Sequence, residues 1–168
     1  GEKPVHKAKF ERAERIIANI PALSENKGDV DFFEVQGGKR SLDEFIACLN
    51  ISELEMLTHG DYKMNSPLGA KGNAGVFGGI SESLREKGVP AVVTTDGPSG
   101  IRLMTYASLL PCGTAIASTF NKDLVEKLYG AVAEEMLKKG SYVLLAPGLN
   151  IHRDPLCGRN FEYFSEDP

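Results

Sequence analysis

Two apolar runs separated by a long helical pattern constrain the fold of this 168-residue chain more than any other feature. Residues 89–95 are apolar and rich in β-branched side chains, which is typical of a strand buried on both faces. Residues 121–140 have the spacing of a long helix, with Asn121 as its amino-terminal cap and Gly140 as its stop. A second buried strand is predicted over residues 142–146, so the order indicates an α/β fold with a parallel sheet.

The beginning of the sequence predicts a helical lead-in. Residues 8–20 place apolar side chains at helical spacing among charged residues, and Pro21 ends the pattern. A polar linker comes next, and residues 30–36 resemble a short strand. We therefore treat residues 1–40 as a lead-in helix and linker, separate from residues 41–168.

The middle of the chain predicts short helices and a long loop. Ser41 with Glu44, and Ser52 with Glu55, have the spacing of capping boxes, so each pair predicts the start of a short helix. A further short strand is expected over residues 114–117. Residues 60–79 contain many glycines and show weak periodicity, which favours a long loop.

Charge and cysteine content exclude several kinds of partner. The net charge of −4 provides no basic surface for nucleic acid, and no apolar run approaches the roughly 20 residues of a membrane span. The three cysteines have neither a disulfide-framework nor a zinc-site spacing, so we expect no metal or other cofactor. They favour a reducing, cytoplasmic compartment, although a secretion signal preceding Gly1 would change that prediction.

Polar segments follow both predicted strands, and parallel strands place their carboxyl ends at one edge of a sheet. Asp96, Arg102 and Arg159 are therefore expected on the same face, where α/β folds bind their ligands. Each residue also has a structural alternative. Asp96 precedes a Gly-Pro pair and could only form a turn, and the arginines could pair with Glu162 or Asp154 to stiffen loops.

Residues 146–168, together with residues 95–102, resemble the amino-terminal barrel region of glycoside hydrolase family 3, in particular its β-glucosidases. Residues 110–121 are similar to the same family, and the resemblance extends over residues 40–168. It implies that residues 41–168 form the first few βα units of a (β/α)8 TIM-like barrel. That barrel is incomplete here, because such barrels need about 250 residues.

The resemblance also implies roles for the three polar residues. Asp96 is expected to bind hydroxyls of the non-reducing sugar, Arg102 to brace this region, and Arg159 to contact the same glycone. The implied activity is that of a retaining β-glycosidase that hydrolyses terminal non-reducing β-D-glycosyl residues. Its nucleophile and its acid/base lie outside the matched stretch, so we expect no catalytic residue in this chain and no activity from it alone.

The expected partners are a β-glucoside or oligosaccharide substrate and the remainder of the enzyme, namely the rest of the barrel and a sandwich domain. An open strand edge also leaves self-association into a homo-oligomer open. The alternative is a non-catalytic carbohydrate-binding or scaffolding module. A nucleotide-dependent α/β enzyme is a third hypothesis, which the absence of a phosphate-binding glycine motif disfavours.

Overall fold

A computed structural model describes residues 28–167, in which helices alternate with short strands. The predicted helix over residues 8–20 lies outside the described residues. The first elements are α1 (Phe32–Gln36), α2 (Leu42–Ala47), α3 (Ile51–His59), β1 (Gly75–Gly78), α4 (Glu82–Glu86) and β2 (Ala91–Asp96). They are followed by α5 (Gly113–Ala117), α6 (Lys122–Lys138), β3 (Val143–Leu145), β4 (Gly148–Ile151), a 3-10 turn (Asn160–Glu162) and β5 (Tyr163–Ser165). Among these helices, none combines the length and the apolar character that crossing a membrane requires.

The two predicted strands are present, and they pair in parallel. Strand β2 lies between β1 and β3, and its residue Asp96 is in register with Leu145 of β3. Strand β1 runs antiparallel to β2, with Gly75 opposite Thr94. The prediction of an uninterrupted loop over residues 60–79 was therefore wrong at β1, because pairing with β2 orders a glycine-flanked segment that has no strand pattern of its own.

Helix α6 connects the parallel strands, as predicted. The side chain of Asn121 accepts a hydrogen bond from the Leu124 amide at 3.1 Å, which satisfies one of the free N–H groups of the first turn. The buried face of the helix is narrower than the apolar stripe of the sequence. Val132 and Met136 are buried beside Ile101, whereas Leu124 and Leu137 are 50% and 64% exposed.

Capping determines the helices of the lead-in region, residues 28–90 of the structure, which extends past the lead-in helix and linker predicted over residues 1–40. The predicted box at Ser41 is confirmed, since the Ser41 hydroxyl accepts from the Glu44 amide and Glu44 accepts from the Ser41 amide. The box predicted at Ser52 was wrong. Helix α3 instead begins at Asn50, whose side chain accepts from the Glu53 amide at 2.9 Å while Glu53 accepts in return from Asn50. An asparagine caps as well as a serine, and the same reciprocal geometry forms two residues earlier.

Two segments predicted as strands are helices. Residues 30–36 contain α1, whose start is fixed by Asp31, because its carboxylate accepts from the Phe33 amide at 2.7 Å. Residues 114–117 belong to α5, which buries Ile116 to 4% exposure. Short apolar runs fit either period, so in both places a local cap or a packing surface decides the structure.

Residues 28–167 contain two clusters of buried apolar side chains. The first joins the lead-in helices to α4 and contains Val30, Phe45, Leu49, Leu84 and Val89. The rings of Phe32 and Phe45 lie 5.3 Å apart, so residues on both sides of the proposed division at residue 40 share this cluster. The division itself stays a prediction. The second cluster, Ile101 with Val132 and Met136, holds α6 against the loop that follows β2.

Candidate functional site

Asp96 is the last residue of β2, and Arg102 pairs with it directly. The Arg102 amide donates to the Asp96 carbonyl at 2.8 Å, and its guanidinium forms an ion pair with the Asp96 carboxylate. Both side chains remain accessible, at 37% exposure for Asp96 and 65% for Arg102. The chain returns through a tight turn in which Gly100 has a φ of +114°. A Cβ at this glycine would overlap the Ser108 carbonyl oxygen, so the turn requires glycine.

The buried hydroxyl of Thr95 stabilises this turn, and sequence reasoning did not identify this residue. Its side chain is fully buried, and its hydroxyl lies 3.1 Å from the Asp96 carbonyl oxygen and 3.3 Å from that of Arg102. The threonine therefore links the end of β2 to the returning chain. Its β-branched side chain gave only a strand signal, which does not distinguish a buried hydroxyl anchor from an ordinary strand residue.

Arg159 lies at the start of the 3-10 turn and is held by Glu162. The Arg159 Nε forms an ion pair with a Glu162 carboxylate oxygen, and the guanidinium carbon lies 5.8 Å from the centroid of the Tyr163 ring. The arginine side chain is 66% exposed, whereas the glutamate side chain is 8% exposed. The pairing with Glu162 that the sequence offered as an alternative is therefore present, and the pairing with Asp154 does not appear among the ion pairs of the described residues.

Helix α5 fixes the backbone beneath this arginine. The Thr114 hydroxyl donates to the Tyr163 carbonyl at 2.9 Å, and β5 pairs in parallel with β4. At Gly113 the helix approaches so closely that an added Cβ would lie 2.8 Å from the Glu162 carbonyl oxygen. The sequence offered no signal for this contact, because it depends on a helix where a strand was predicted.

Electrostatics connect the two halves of the site. The hydrogen bond that Arg159 donates to Glu162 raises the pKa of the arginine, the charge of that glutamate raises it further, and the Asp96 carboxylate contributes in the same direction. The pKa of Arg159 thus responds to Asp96 as well as to Glu162, and the expectation that Asp96 and Arg159 serve one ligand stays a prediction. All three predicted side chains lie at the surface, and none is enclosed by core packing.

The described residues suggest no metal centre. Residues 28–167 contain no group of three or more His, Cys, Asp or Glu side chains placed to hold a metal ion. Cys112 and Cys157 are exposed thiols that form no disulfide with other described residues. The polar surface around Asp96 and Arg159 therefore offers carboxylate, guanidinium and backbone groups for hydrogen bonding.

Residues 70–168 match the family model for the N-terminal domain of glycosyl hydrolase family 3. The chain belongs to glycosyl hydrolase family 3. The resemblance noted in the sequence is therefore confirmed. The two polar segments that carried it are the loop between Asp96 and Arg102 and the segment that contains Arg159, and both lie within the matched range.

Relatives of this chain include named β-glucosidases. A β-glucosidase of Ruminococcus albus is 47% identical over 165 residues, and β-glucosidase A of Butyrivibrio fibrisolvens is 40% identical over 141 residues. These alignments cover 96% and 82% of this chain, but 17% and 16% of those proteins.

Solved structures agree. The crystal structure of a β-glucosidase from Paenibacillus barengoltzii superposes with a TM-score of 0.82 at 46% identity, over 92% of this chain and 17% of that one. β-Glucosidase 3B from Thermotoga neapolitana, in complex with α-D-glucose, gives a TM-score of 0.65 at 36% identity, over 77% and 19%. The chain thus has a mixed α/β fold of the kind found in these enzymes, and it spans 16% to 19% of the length of the four relatives.

Proposed function

We propose that this chain supplies the glycone-binding wall of a retaining β-glycosidase of the β-glucosidase type, which removes terminal non-reducing β-D-glycosyl residues. The observation that carries the proposal is that the Asp96 carboxylate and the Arg159 guanidinium are both accessible and each held by an ion pair, in a member of glycosyl hydrolase family 3. A carboxylate and a guanidinium at one surface are complementary to the hydroxyl groups of a sugar.

Asp96 supplies the acceptors in this proposal. An ionised carboxylate has about four lone-pair positions, and Arg102 engages one of its two oxygens. The other oxygen can accept hydrogen bonds from two neighbouring sugar hydroxyls. Because Arg102 holds the aspartate carboxylate in one orientation, the acceptors are in place before a ligand arrives, which reduces the entropy lost on binding.

Arg159 supplies the donors. Its Nε is engaged by Glu162, which leaves the N–H groups of both terminal nitrogens for a ligand. A guanidinium is planar and always charged, so it can orient a hydroxyl that also donates to Asp96. The two residues would then bind the same glycone from two sides.

The chemical step belongs to polypeptide beyond the present sequence. A retaining mechanism needs a nucleophilic carboxylate and an acid/base carboxyl about 5 Å apart, and we place neither in this chain. We propose that residues 41–168 form the first βα units of a (β/α)8 barrel and that the remainder of the enzyme completes it. Strand β3 lies at one edge of the three-stranded sheet, where the next strand could pair.

Exposed apolar surface supports this assembly. A groove of about 620 Å³ lies between α5, α6 and β5 and is lined by Phe120, Val125 and Phe164. On the sheet, Leu145 of β3 is 50% exposed although its strand is apolar throughout. Side chains of the remaining barrel could cover both surfaces, since apolar surface of this kind is stabilised by burial.

The test is an assay of the complete gene product on aryl β-D-glycosides that differ only in the sugar, with the anomeric configuration of the released sugar followed by NMR. We expect hydrolysis of the glucoside, with the β-anomer released first. Binding of glucose without hydrolysis would instead favour the non-catalytic carbohydrate-binding module. A matched control is the Arg40→Ala variant, which removes an exposed ion pair with Glu44 in the lead-in and should leave the rate unchanged.

A further inference from the structure

Glu162 and Arg159 form an ion pair whose two members have opposite environments. The glutamate side chain is 8% exposed, whereas that of the arginine is 66% exposed. A buried carboxylate is unfavourable unless it is paired and hydrogen-bonded, so its environment restricts it to one position. The exposed arginine has no comparable packing, and its position therefore depends on the glutamate.

Several contacts fix the backbone that carries Glu162. Its amide donates to the Arg159 carbonyl at 3.1 Å, and its own carbonyl faces Gly113 of α5 at a distance that leaves no room for a Cβ. The carbonyl of the next residue, Tyr163, accepts a hydrogen bond from the Thr114 hydroxyl, and Tyr163 is in register with Gly148 of β4. The carboxylate is thus anchored through α5 and β4 as well as through its own turn.

The contact with Nε restricts how the guanidinium can point. Nε and the two terminal nitrogens lie in one plane, so one terminal N–H points to the same side as the Nε–H, toward Glu162, and the other terminal N–H groups are directed away from it. The Tyr163 ring centroid lies 5.8 Å from the guanidinium carbon, within the range of a cation–π interaction that favours this placement of the arginine. Asp154, the other acid that the sequence suggested for this arginine, is occupied elsewhere, since its carboxylate accepts from the Leu156 amide at 2.9 Å.

We propose that Glu162 is a positioning residue of the sugar site, holding the Arg159 guanidinium so that its terminal N–H groups face the glycone hydroxyl bound by Asp96. This inference rests on the proposed function, because it requires that Arg159 binds the sugar. Glu162 makes no contact with the substrate itself. Its role is to reduce the number of orientations that the Arg159 side chain adopts. Loss of Glu162 should therefore weaken glycone binding only by way of its effect on Arg159.

The experiment is a double-mutant cycle in the complete enzyme, with KM for an aryl β-glucoside and inhibition by free glucose as readouts. We expect Arg159→Ala and Glu162→Ala each to weaken glucose binding by about 10- to 100-fold, as for a lost charged hydrogen bond. The double variant should bind no more weakly than Arg159→Ala, because both changes remove the same interaction. Glu162→Gln should recover most of the binding, since its amide oxygen still accepts from Nε.

Glu53 provides the matched control. Its side chain is 3% exposed and pairs with Lys87 at 2.7 Å, so Glu53→Ala also removes a buried carboxylate from an ion pair, but in the lead-in. Both alanine variants should lower the free energy of unfolding, which urea unfolding measures. Only Glu162→Ala should change inhibition by glucose. An equal effect of Glu53→Ala on glucose inhibition would show that the response reports general destabilisation, and it would overturn the inference.

Two further outcomes separate the inference from the proposed function. If Arg159→Ala weakens binding while Glu162→Ala and Glu162→Gln behave like the wild type, or if the two alanine effects add in the double variant, then Glu162 is not a positioning residue and the proposed site stands. If Arg159→Ala leaves both KM and glucose inhibition unchanged, the sugar-binding role of Arg159 itself fails, and the positioning role fails with it.

Discussion

The lead-in region, residues 28–90, and the terminal region, residues 101–167, bury their apolar side chains to different extents. In the lead-in region, Leu84 is fully buried and Phe45 is 3% exposed. In the terminal region, Phe120 and Leu156 are 95% and 90% exposed. The lead-in region has exposed apolar residues too, such as Ile51, but it closes a larger cluster around Leu84 than the terminal region does around Met136.

The difference in burial indicates that the two regions have different roles, one in stability and the other in ligand binding. The lead-in region has capped helices packed around a buried cluster, whereas the terminal region carries the exposed Arg159 in the segment between β4 and β5. Binding residues are commonly carried by loops on a rigid scaffold. Variants in the first region should therefore change the free energy of unfolding, and variants at the sugar site should change ligand binding.

The largest expected effect is on stability, at the centre of the lead-in cluster. Leu84→Ala removes a side chain of 0% exposure and should lower the free energy of unfolding by about 3–5 kcal/mol, because it leaves a cavity. Leu137→Ala, the same change at a position that is 64% exposed, should lower it by less than about 1 kcal/mol. Urea unfolding of both variants measures the difference. Equal losses would contradict the contrast between the regions.

The next effect is on catalysis. Asp96→Ala in the complete enzyme should lower kcat/KM by at least about 100-fold, because it removes two charged hydrogen bonds to the glycone in the transition state. Asp43→Ala, at an acid in the first turn of α2, should leave kcat/KM unchanged. Steady-state rates on an aryl β-glucoside provide the comparison. A normal rate for Asp96→Ala would remove this residue from the site.

A third effect depends on pH. Burial of Glu53 acts to raise its pKa, but hydrogen bonds from Lys87 and the Asn50 amide outweigh it, so the pKa in the folded state lies below its ordinary value. The pairing therefore stabilises the fold fully above the unfolded-state pKa of about 4.3, and this contribution disappears as the pH falls through the folded-state value.

Urea unfolding between about pH 6 and pH 3 should show this loss in the wild type, and Glu53→Gln should reduce the slope. Lys138→Ala, which removes an exposed pair with Glu134, should keep the wild-type slope. A Glu53→Gln variant with an unchanged dependence on pH would mean that this pair does not contribute to acid sensitivity.

The smallest effect concerns helix caps. Ser41→Ala breaks a reciprocal capping box in the lead-in region, and Asn121→Ala removes a single capping contact of α6. Each should lower the free energy of unfolding by about 1 kcal/mol, with the larger loss at Ser41. Thermal unfolding of the two variants, with Ser41→Thr as a control that keeps the hydroxyl, ranks them. A larger loss for Asn121→Ala would show that α6 depends on its cap more than on packing.

The sequence predicted several elements of the fold and assigned two short helices as strands. Strands β2 and β3 were recognisable as apolar runs, helix α6 from its long apolar stripe and helix α2 from its capping box. Residues 32–36 and 113–117 are each a single helical turn or little more, and apolar runs of that length fit a strand equally well. There, Asp31 as a cap and the packing of Ile116 determine the result, and only the folded chain shows the latter.

The site shows the same limit. Strand direction predicted that Asp96 and Arg159 share one face, which stays a prediction, and the ion pair of Arg159 with Glu162 was one of two alternatives that the sequence offered for this arginine. The buried hydroxyl of Thr95 and the contact at Gly113 depend on tertiary packing, which no local pattern records. Sequence reasoning thus identified the charged residues and their ion-pair partners, and it missed the buried contacts at Thr95 and Gly113.

Because Gly113 has no side chain, α5 packs directly against the backbone of the turn that carries Arg159 and Glu162. An alanine there would bring its Cβ to 2.8 Å from the Glu162 carbonyl oxygen and 2.9 Å from the Phe164 ring, so one of the two segments would have to move. A movement of the turn would carry the arginine with it. Under the proposed function, a replacement at this glycine would shift the position of Arg159 without changing any residue proposed to contact the sugar.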